Sequence, residues 1–204
     1  MMTFSGDTTL RLAEFDAPPR DPIVLLRSWL DTATERGVRE PYAMTLATVA
    51  ADGTPSTRVV LLKAVDHGLV FGTQAGSRKG TDLAARPVAS VTFHWRETVQ
   101  QINVAGPVRR LDDAASDRLF ADRPAAARAT TAASAQSRPL DSEDRLRRRA
   151  AALLKTGVSR PGDWFAYRLE PAAIEFWQGS DDRLHRRLRY DRAPEGWRPC
   201  RLQP

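Results

Sequence analysis

The chain carries a single cysteine, Cys200, and only three histidines, His67, His94 and His185. One thiol cannot form an intrachain disulfide, and its place beside the C-terminus makes it a poor nucleophile candidate. The histidines have no HxxxH or HxE spacing and no cysteine partner, so no metal site is expected. A Walker loop and a GxGxxG fingerprint are missing too. Any phosphate must therefore be held by side-chain charge rather than by a glycine-rich nest. No uninterrupted apolar run approaches the length of a bilayer span. The start, MMTFSGDTTLRLAEF, has acidic residues and no signal-peptide apolar core, so a cytoplasmic protein without membrane association is expected.

What is present fits one folded domain. A chain of 204 residues with 42% hydrophobic and 27% charged residues can bury a core without disulfides or structural metal. The net charge of +6 comes from 31 Lys and Arg against 25 Asp and Glu, and an excess of that sign raises a nucleic-acid partner as a reading. The excess is nearly all arginine, gathered at 145–149 and 183–192. The first cluster has no interleaved aromatics and reads as a solvated helix face, so no nucleic-acid partner is expected.

Residues 1–20 lack periodicity and end in Ala17-Pro18-Pro19-Arg20, which predicts a flexible or partner-draped arm before a single domain over 21–204. Asp21 followed by Pro22 is a helix start. Ile23, Leu26, Trp29, Leu30 and Ala33 then recur at helical spacing until Gly37. Beyond Pro41 come short β-rich runs: 44–50, 57–63, 69–73, 88–95 and 99–111. Asp52-Gly53 and His67-Gly68 sit between the first three, as hairpin turns require. Helices are predicted at 77–86, at 114–120 behind Asp112 or Asp113, and at 142–155, with an Ala-rich loop over 125–135. Strands return at 165–169, 174–178, 188–192 and 197–202. The plan is α+β: a mostly antiparallel meander curled into a barrel, with helices packed outside.

Arg58 and Lys63 lie on one strand but five apart, so they face opposite sides unless a bulge or twist intervenes. Ser77-Arg78-Lys79-Gly80 is the better phosphate grip, because helix N–H groups, a hydroxyl and two cations converge there. Taken alone, the cluster reads more readily as a solvated turn than as a ligand site.

The segments EPYAMTLATVAADGTPSTRVVLLK, SRKGTDLA, ASAQSRPL and IEFWQGSDDRLHRRLRYDR ending in RLQP, in this order, resemble the pyridoxamine 5′-phosphate oxidase family from about Asp21 to Pro204. The resemblance implies an FMN-binding split β-barrel, a homodimer with two FMN molecules at the subunit interface. It also implies O2 as electron acceptor and hydrogen peroxide as product. By motif it places Arg58, Arg78 and Lys79 at the FMN phosphate, with Thr73 beside them and Lys63 near the flavin. Gln101, Gln136, Ser137, Trp177 and Arg187 fall at flavin-contact positions, some reaching from the second subunit. Arg183 and His185, in the RLH motif, correspond to substrate-side groups, with His185 a candidate proton acceptor. Each has a plainer role as well: Trp177 as core, Gln101 as a strand-pairing residue, His185 as a satisfied polar group.

Where the family expects Tyr, Arg and Ser around the substrate's phosphate, the segment 119–127 reads LFADRPAAA. Arg123 remains, but Leu119 and Ala127 stand at the hydroxyl positions. Two lost hydrogen bonds to a charged group, at about 1.5–3 kcal/mol each, weaken phosphate-ester binding by roughly two to four orders of magnitude. The pocket left is more apolar and keeps cations at Lys63, Arg123 and Arg183, which suits a small planar aromatic or heteroaromatic acid. EFDAPPRDP, GVREPYA, FHWRETVQQINVAG and LRYDR resemble the phenazine-biosynthesis branch of the family, FMN oxidases that aromatise reduced phenazine carboxylates. Vitamin B6 metabolism, as a pyridoxamine or pyridoxine 5′-phosphate oxidase, and flavin binding without turnover are the alternatives.

Overall fold

The computed structural model describes residues 5–204; residues 1–4 of the expected arm lie outside the described residues. Helix α1, Pro22–Glu35, begins as its sequence requires. The Asp21 carboxylate accepts from the Ile23 N–H at 2.8 Å, and Gly37, at φ 73°, ends the run. Its buried face of Ile23, Leu25, Leu26, Trp29, Leu30 and Ala33 packs on the sheet. There Trp29 meets Phe15, Trp95 and Phe176. Each such side chain stabilises the fold by about 1.5–3 kcal/mol on burial.

The strands are β1 (Ala43–Val49), β2 (Pro55–Leu61), β3 (Ala64–Val65), β4 (Leu69–Gln74), β5 (Val88–Trp95), β6 (Gln100–Arg110), β7 (Trp164–Leu169), β8 (Ala173–Gln178), β9 (Arg186–Ala193) and β10 (Gly196–Leu202). They form one antiparallel sheet in the order β10-β9-β8-β6-β5-β1-β2. The long β6 curls it. One part of β6 pairs with β5 and β8, and its end, Val108–Arg110, pairs with β7, which also pairs with β4. Gly106 sits where this switch occurs: a Cβ there would fall 2.0 Å from the Glu170 carbonyl oxygen. The result is a split β-barrel of α+β class, with a core on the inward face of each strand, such as Val91, Phe93, Ile102, Val104, Ile174, Phe176, Leu188 and Tyr190.

Four expectations are corrected. The strands are not a simple meander: β2 pairs only with β1, and the His67-Gly68 turn joins the two-residue β3 to β4. The strand expected over 57–63 stops at Leu61. Leu62 is buried and bonds to the Tyr42 carbonyl, and Lys63 N–H bonds to Val70 on β4. The Ala-rich stretch is not a loop but helix α4, Ala125–Ala133; alanine has the highest intrinsic helix preference, and the run lacked an amphipathic signature. Finally, the described part of the expected arm packs against its own barrel around Phe15, Asp16 and Pro19. Phe15 is 1% exposed, Asp16 pairs with Arg186, and the Tyr190 hydroxyl donates to the Pro19 carbonyl at 3.0 Å.

The other helices are α2 (Arg78–Ala85), α3 (Asp113–Ala121) and α5 (Glu143–Thr156). Ser77, Asp112 and Ser142 cap them through their side chains. None of the α5 residues is buried. Its arginines pair with acids one turn away, Arg145 with Asp141 and Arg147 with Glu143, as a solvated face does.

Candidate functional site

Strand β4 ends in Thr73-Gln74, and three residues later Ser77 caps α2. Its hydroxyl accepts from Gly80 N–H at 3.2 Å. This junction points the start of α2, with Arg78 and Lys79, at a cavity of about 950 Å3. Arg58 and Lys63 line the same cavity, because the chain leaves β2 between them. Lys63 and Arg78 are exposed, whereas Lys79 is 7% exposed. Burial first, and then the Arg58 charge, lower the Lys79 ammonium from its ordinary 10.5 to about 8. Burial also lowers Arg58, against the raising effect of Asp82. Arg58, Arg78 and Lys79 thus stand near the N–H groups of a helix start, a donor set suited to a phosphate monoester.

The loop after α4 closes over this end. Gln136 Oε1 accepts from Thr73 Oγ1 and from Lys79 Nζ, each at 3.1 Å. Arg78 N–H donates to the Ser137 hydroxyl at 3.1 Å, and Ser137 stands at φ 72°. Gln74 fixes the loop. Its Nε2 donates to the Thr131 and Ser134 carbonyls at 3.2 and 2.9 Å, and its Oε1 accepts from Gln136 N–H at 2.8 Å. Composition gave no sign of Gln74, because its partners lie 57–62 residues away.

The cavity is also lined by Leu119, Pro124, Ala126, Ala127 and Trp164, with Arg123. Arg123 is half-buried; its Nη1 donates to Thr131 Oγ1 at 2.9 Å, and its guanidinium stands over Phe120 and Trp164 at 5.5 and 5.3 Å. Burial lowers its pKa. Gly72 on the floor has no side chain because Trp164 Cζ2 would lie 2.2 Å from a Cβ. The lining contains no acidic residue.

The remaining expected residues do not line this cavity. Gln101, Trp177 and Arg187 form a row across β6, β8 and β9 by register. Trp177 is half-buried, on the face opposite Phe176, so it is not core. The His185 ring stands 4.9 Å from Trp177, and its Nδ1 accepts from Ser180 N–H at 3.1 Å. That bond commits Nδ1, so the candidate proton acceptor sits with this nitrogen already engaged. Arg183 is exposed at φ 67° in the same loop. Arg187 Nε bonds Glu175 at 2.8 Å. The expected residues thus form two groups within one chain.

FMN fits the first group. A cavity of about 950 Å3 lies in the range of cofactor pockets, and one end carries the donors that a phosphate requires.

Comparisons with known proteins bear on both groups. The family model described as "Pyridoxamine 5'-phosphate oxidase" matches residues 30–157. A second, "Pyridoxine 5'-phosphate oxidase C-terminal dimerisation region", matches residues 164–204, which hold Trp177, Arg183, His185 and Arg187. A dihydrophenazinedicarboxylate synthase from Burkholderia lata is 43% identical over 99% of this chain and 97% of its own. A pyridoxine/pyridoxamine 5′-phosphate oxidase from Cupriavidus metallidurans is 46% identical over 95% and 93%. The crystal structure of PhzG from Burkholderia lata 383 in complex with tetrahydrophenazine-1-carboxylic acid superposes with a TM-score of 0.95, at 42% identity over 98% of this chain and 100% of that one. Overall identity does not separate the two kinds of relative, so the cavity lining must.

Proposed function

The chain belongs to the pyridoxamine 5′-phosphate oxidase family, and on that premise we propose that it is a homodimeric, cytoplasmic FMN-dependent oxidase that dehydrogenates a reduced phenazine carboxylate, with O2 as acceptor and hydrogen peroxide as product. The observation that carries this reading is the Leu119, Ala126 and Ala127 lining around Arg123. It offers hydrocarbon and one guanidinium, which matches a planar acid better than a phosphate ester. The relative solved with tetrahydrophenazine-1-carboxylic acid supports it.

In this reading residues 21–204 are one FMN-binding domain. Arg58, Arg78 and Lys79 hold the phosphate, Thr73, Gln136 and Ser137 close over it, and Lys63 lies toward the ring. When bound, FMN supplies the two-electron chemistry and the reaction with O2. The protein's work is then positioning. Arg123, pinned by Thr131, takes the substrate carboxylate, with Lys63 and Arg183 as further cations. Gln101, Trp177 and Arg187 close the flavin site from the second subunit, bringing Arg183 and His185 to the substrate. His185 enters that site with its Nδ1 held by Ser180 N–H.

Steady-state turnover of tetrahydrophenazine-1-carboxylate and of pyridoxine 5′-phosphate tests the reading. Efficient oxidation of the second and none of the first overturns it. The oxidase of vitamin B6 metabolism is the second reading, favoured by the retention of Lys63 and Arg123 and by relatives of that name at 46% identity. Flavin binding without turnover fails if a reduced phenazine bleaches the flavin absorbance under anaerobic mixing.

A further inference from the structure

Asp82 lies one helical turn after Arg78 on α2 and is 3% exposed, behind the cavity wall rather than on it. Its Oδ2 accepts from Thr48 Oγ1 at 2.7 Å and from Ser56 Oγ at 3.0 Å. A hydroxyl has one proton to donate. With both protons directed at the carboxylate, the 3.4 Å approach of the two hydroxyls is not a bond, and their lone pairs face Arg58. Arg58 uses them: Nη1 donates to Thr48 Oγ1 at 2.7 Å and to the Leu46 carbonyl at 3.2 Å, and Nη2 donates to Ser56 Oγ at 2.5 Å. Three of the five guanidinium donors are thus held from behind, which leaves two for the cavity.

The same carboxylate faces Arg58 Nη2 at 3.8 Å and Arg78 Nε at 3.6 Å. Three cations and one buried anion leave the cluster with two net positive charges, the complement of a phosphate carrying about −1.5 to −2. We propose that Asp82 is a positioning residue for the phosphate end: it turns the Thr48 and Ser56 hydroxyls into acceptors and so aims the Arg58 and Arg78 pair at the phosphate. The proposal rests on the FMN reading of the cavity.

The test compares FMN with riboflavin, which lacks the phosphate, by fluorescence titration of flavin-free full-length protein. Asp82→Asn weakens FMN roughly 10- to 100-fold, the effect of losing a charge-assisted contact, and leaves riboflavin within about twofold; Asp82→Glu recovers part of the loss. Equal weakening of both flavins means a merely structural role and overturns the proposal, as does unchanged or tighter FMN binding. Inorganic phosphate supplies a flavin-independent arm: it raises the melting temperature of the wild type and not that of Asp82→Asn. A wild type that binds neither flavin removes the proposed function, and the phosphate arm then decides alone; a shift retained in Asp82→Asn, or absent from the wild type, overturns the role of Asp82. If Asp82→Asn does not fold, Ser56→Ala carries the same comparison: a selective loss of FMN supports the proposal, and an unselective one overturns it.

Discussion

The ammonium of Lys79 donates to the side-chain carbonyl of Gln136 at 3.1 Å, tying the start of α2 to the loop that follows α4. Lys79 is buried while Gln136 is exposed, and burial has lowered the ammonium from 10.5 to about 8. Between those values the unfolded chain holds a proton that the folded chain lacks. The folded state therefore bears a penalty below about pH 8 that fades as pH rises to 10.5. An anion beside Lys79 restores the charge, so FMN binding takes up a proton above pH 8. The phosphate itself, with a second pKa near 6, adds no slope in this range. Affinity for FMN is expected to fall by up to about tenfold per pH unit above 8, and Lys79→Met to abolish the slope. Titrations between pH 7 and 9 check this; an equal slope in the variant removes the link.

Gln74 bonds three backbone groups of the 131–136 segment with one amide. Leucine at this position fills the space but leaves two carbonyls and an N–H without partners. A loss of about 2–4 kcal/mol in stability is expected. Because the loop carries Gln136 and Ser137, FMN affinity should fall with it. Denaturant unfolding and flavin titration of Gln74→Leu measure both; loss of stability alone separates the clamp from the site.

Arg123 is the one guanidinium set among the hydrocarbon of Leu119, Ala126 and Ala127. Its removal in Arg123→Met is expected to raise KM for tetrahydrophenazine-1-carboxylate roughly 10- to 100-fold, the worth of a charged hydrogen bond. The change in kcat should be smaller, since the carboxylate lies away from the bond being oxidised. Conversely, Leu119→Tyr with Ala127→Ser adds two hydroxyl donors and should raise kcat/KM for pyridoxine 5′-phosphate. If neither parameter moves in Arg123→Met, the acid is held elsewhere.

Much of this arrangement was legible in the sequence because it is local. Asp21, Ser77, Asp112 and Ser142 cap helices where their positions demand, and the short β-rich runs became strands. The cation cluster was legible as a phosphate grip because Ser77, Arg78 and Lys79 are adjacent. Arg58 and Lys63 were ambiguous, since an ideal strand separates them; the structure ends β2 at Leu61 and lines the cavity with both. Gln74 and Asp82 were silent because their roles exist only through partners distant in sequence. Phe15 was hidden by the absence of periodicity around it.

The separation of the expected residues into two groups leads to the last prediction. Arg58 lies at the cavity, while Arg187 is held by Glu175 on the far strands, within the segment similar to a dimerisation region. If each flavin site takes Arg58 from one subunit and Arg187 from the other, Arg58→Ala and Arg187→Ala each disable both sites of their own homodimer. Mixed after dissociation and reassembly, half of the dimers are hybrids. In a two-fold symmetric pair one hybrid site then collects both substitutions and the other collects none. FMN-binding capacity should return to about a quarter of the wild-type value, with oxidase activity rising in step. Were both arginines to serve the same subunit's site, every site in the hybrid would carry one substitution and mixing would restore nothing. Counting bound FMN per dimer before and after mixing distinguishes the two arrangements.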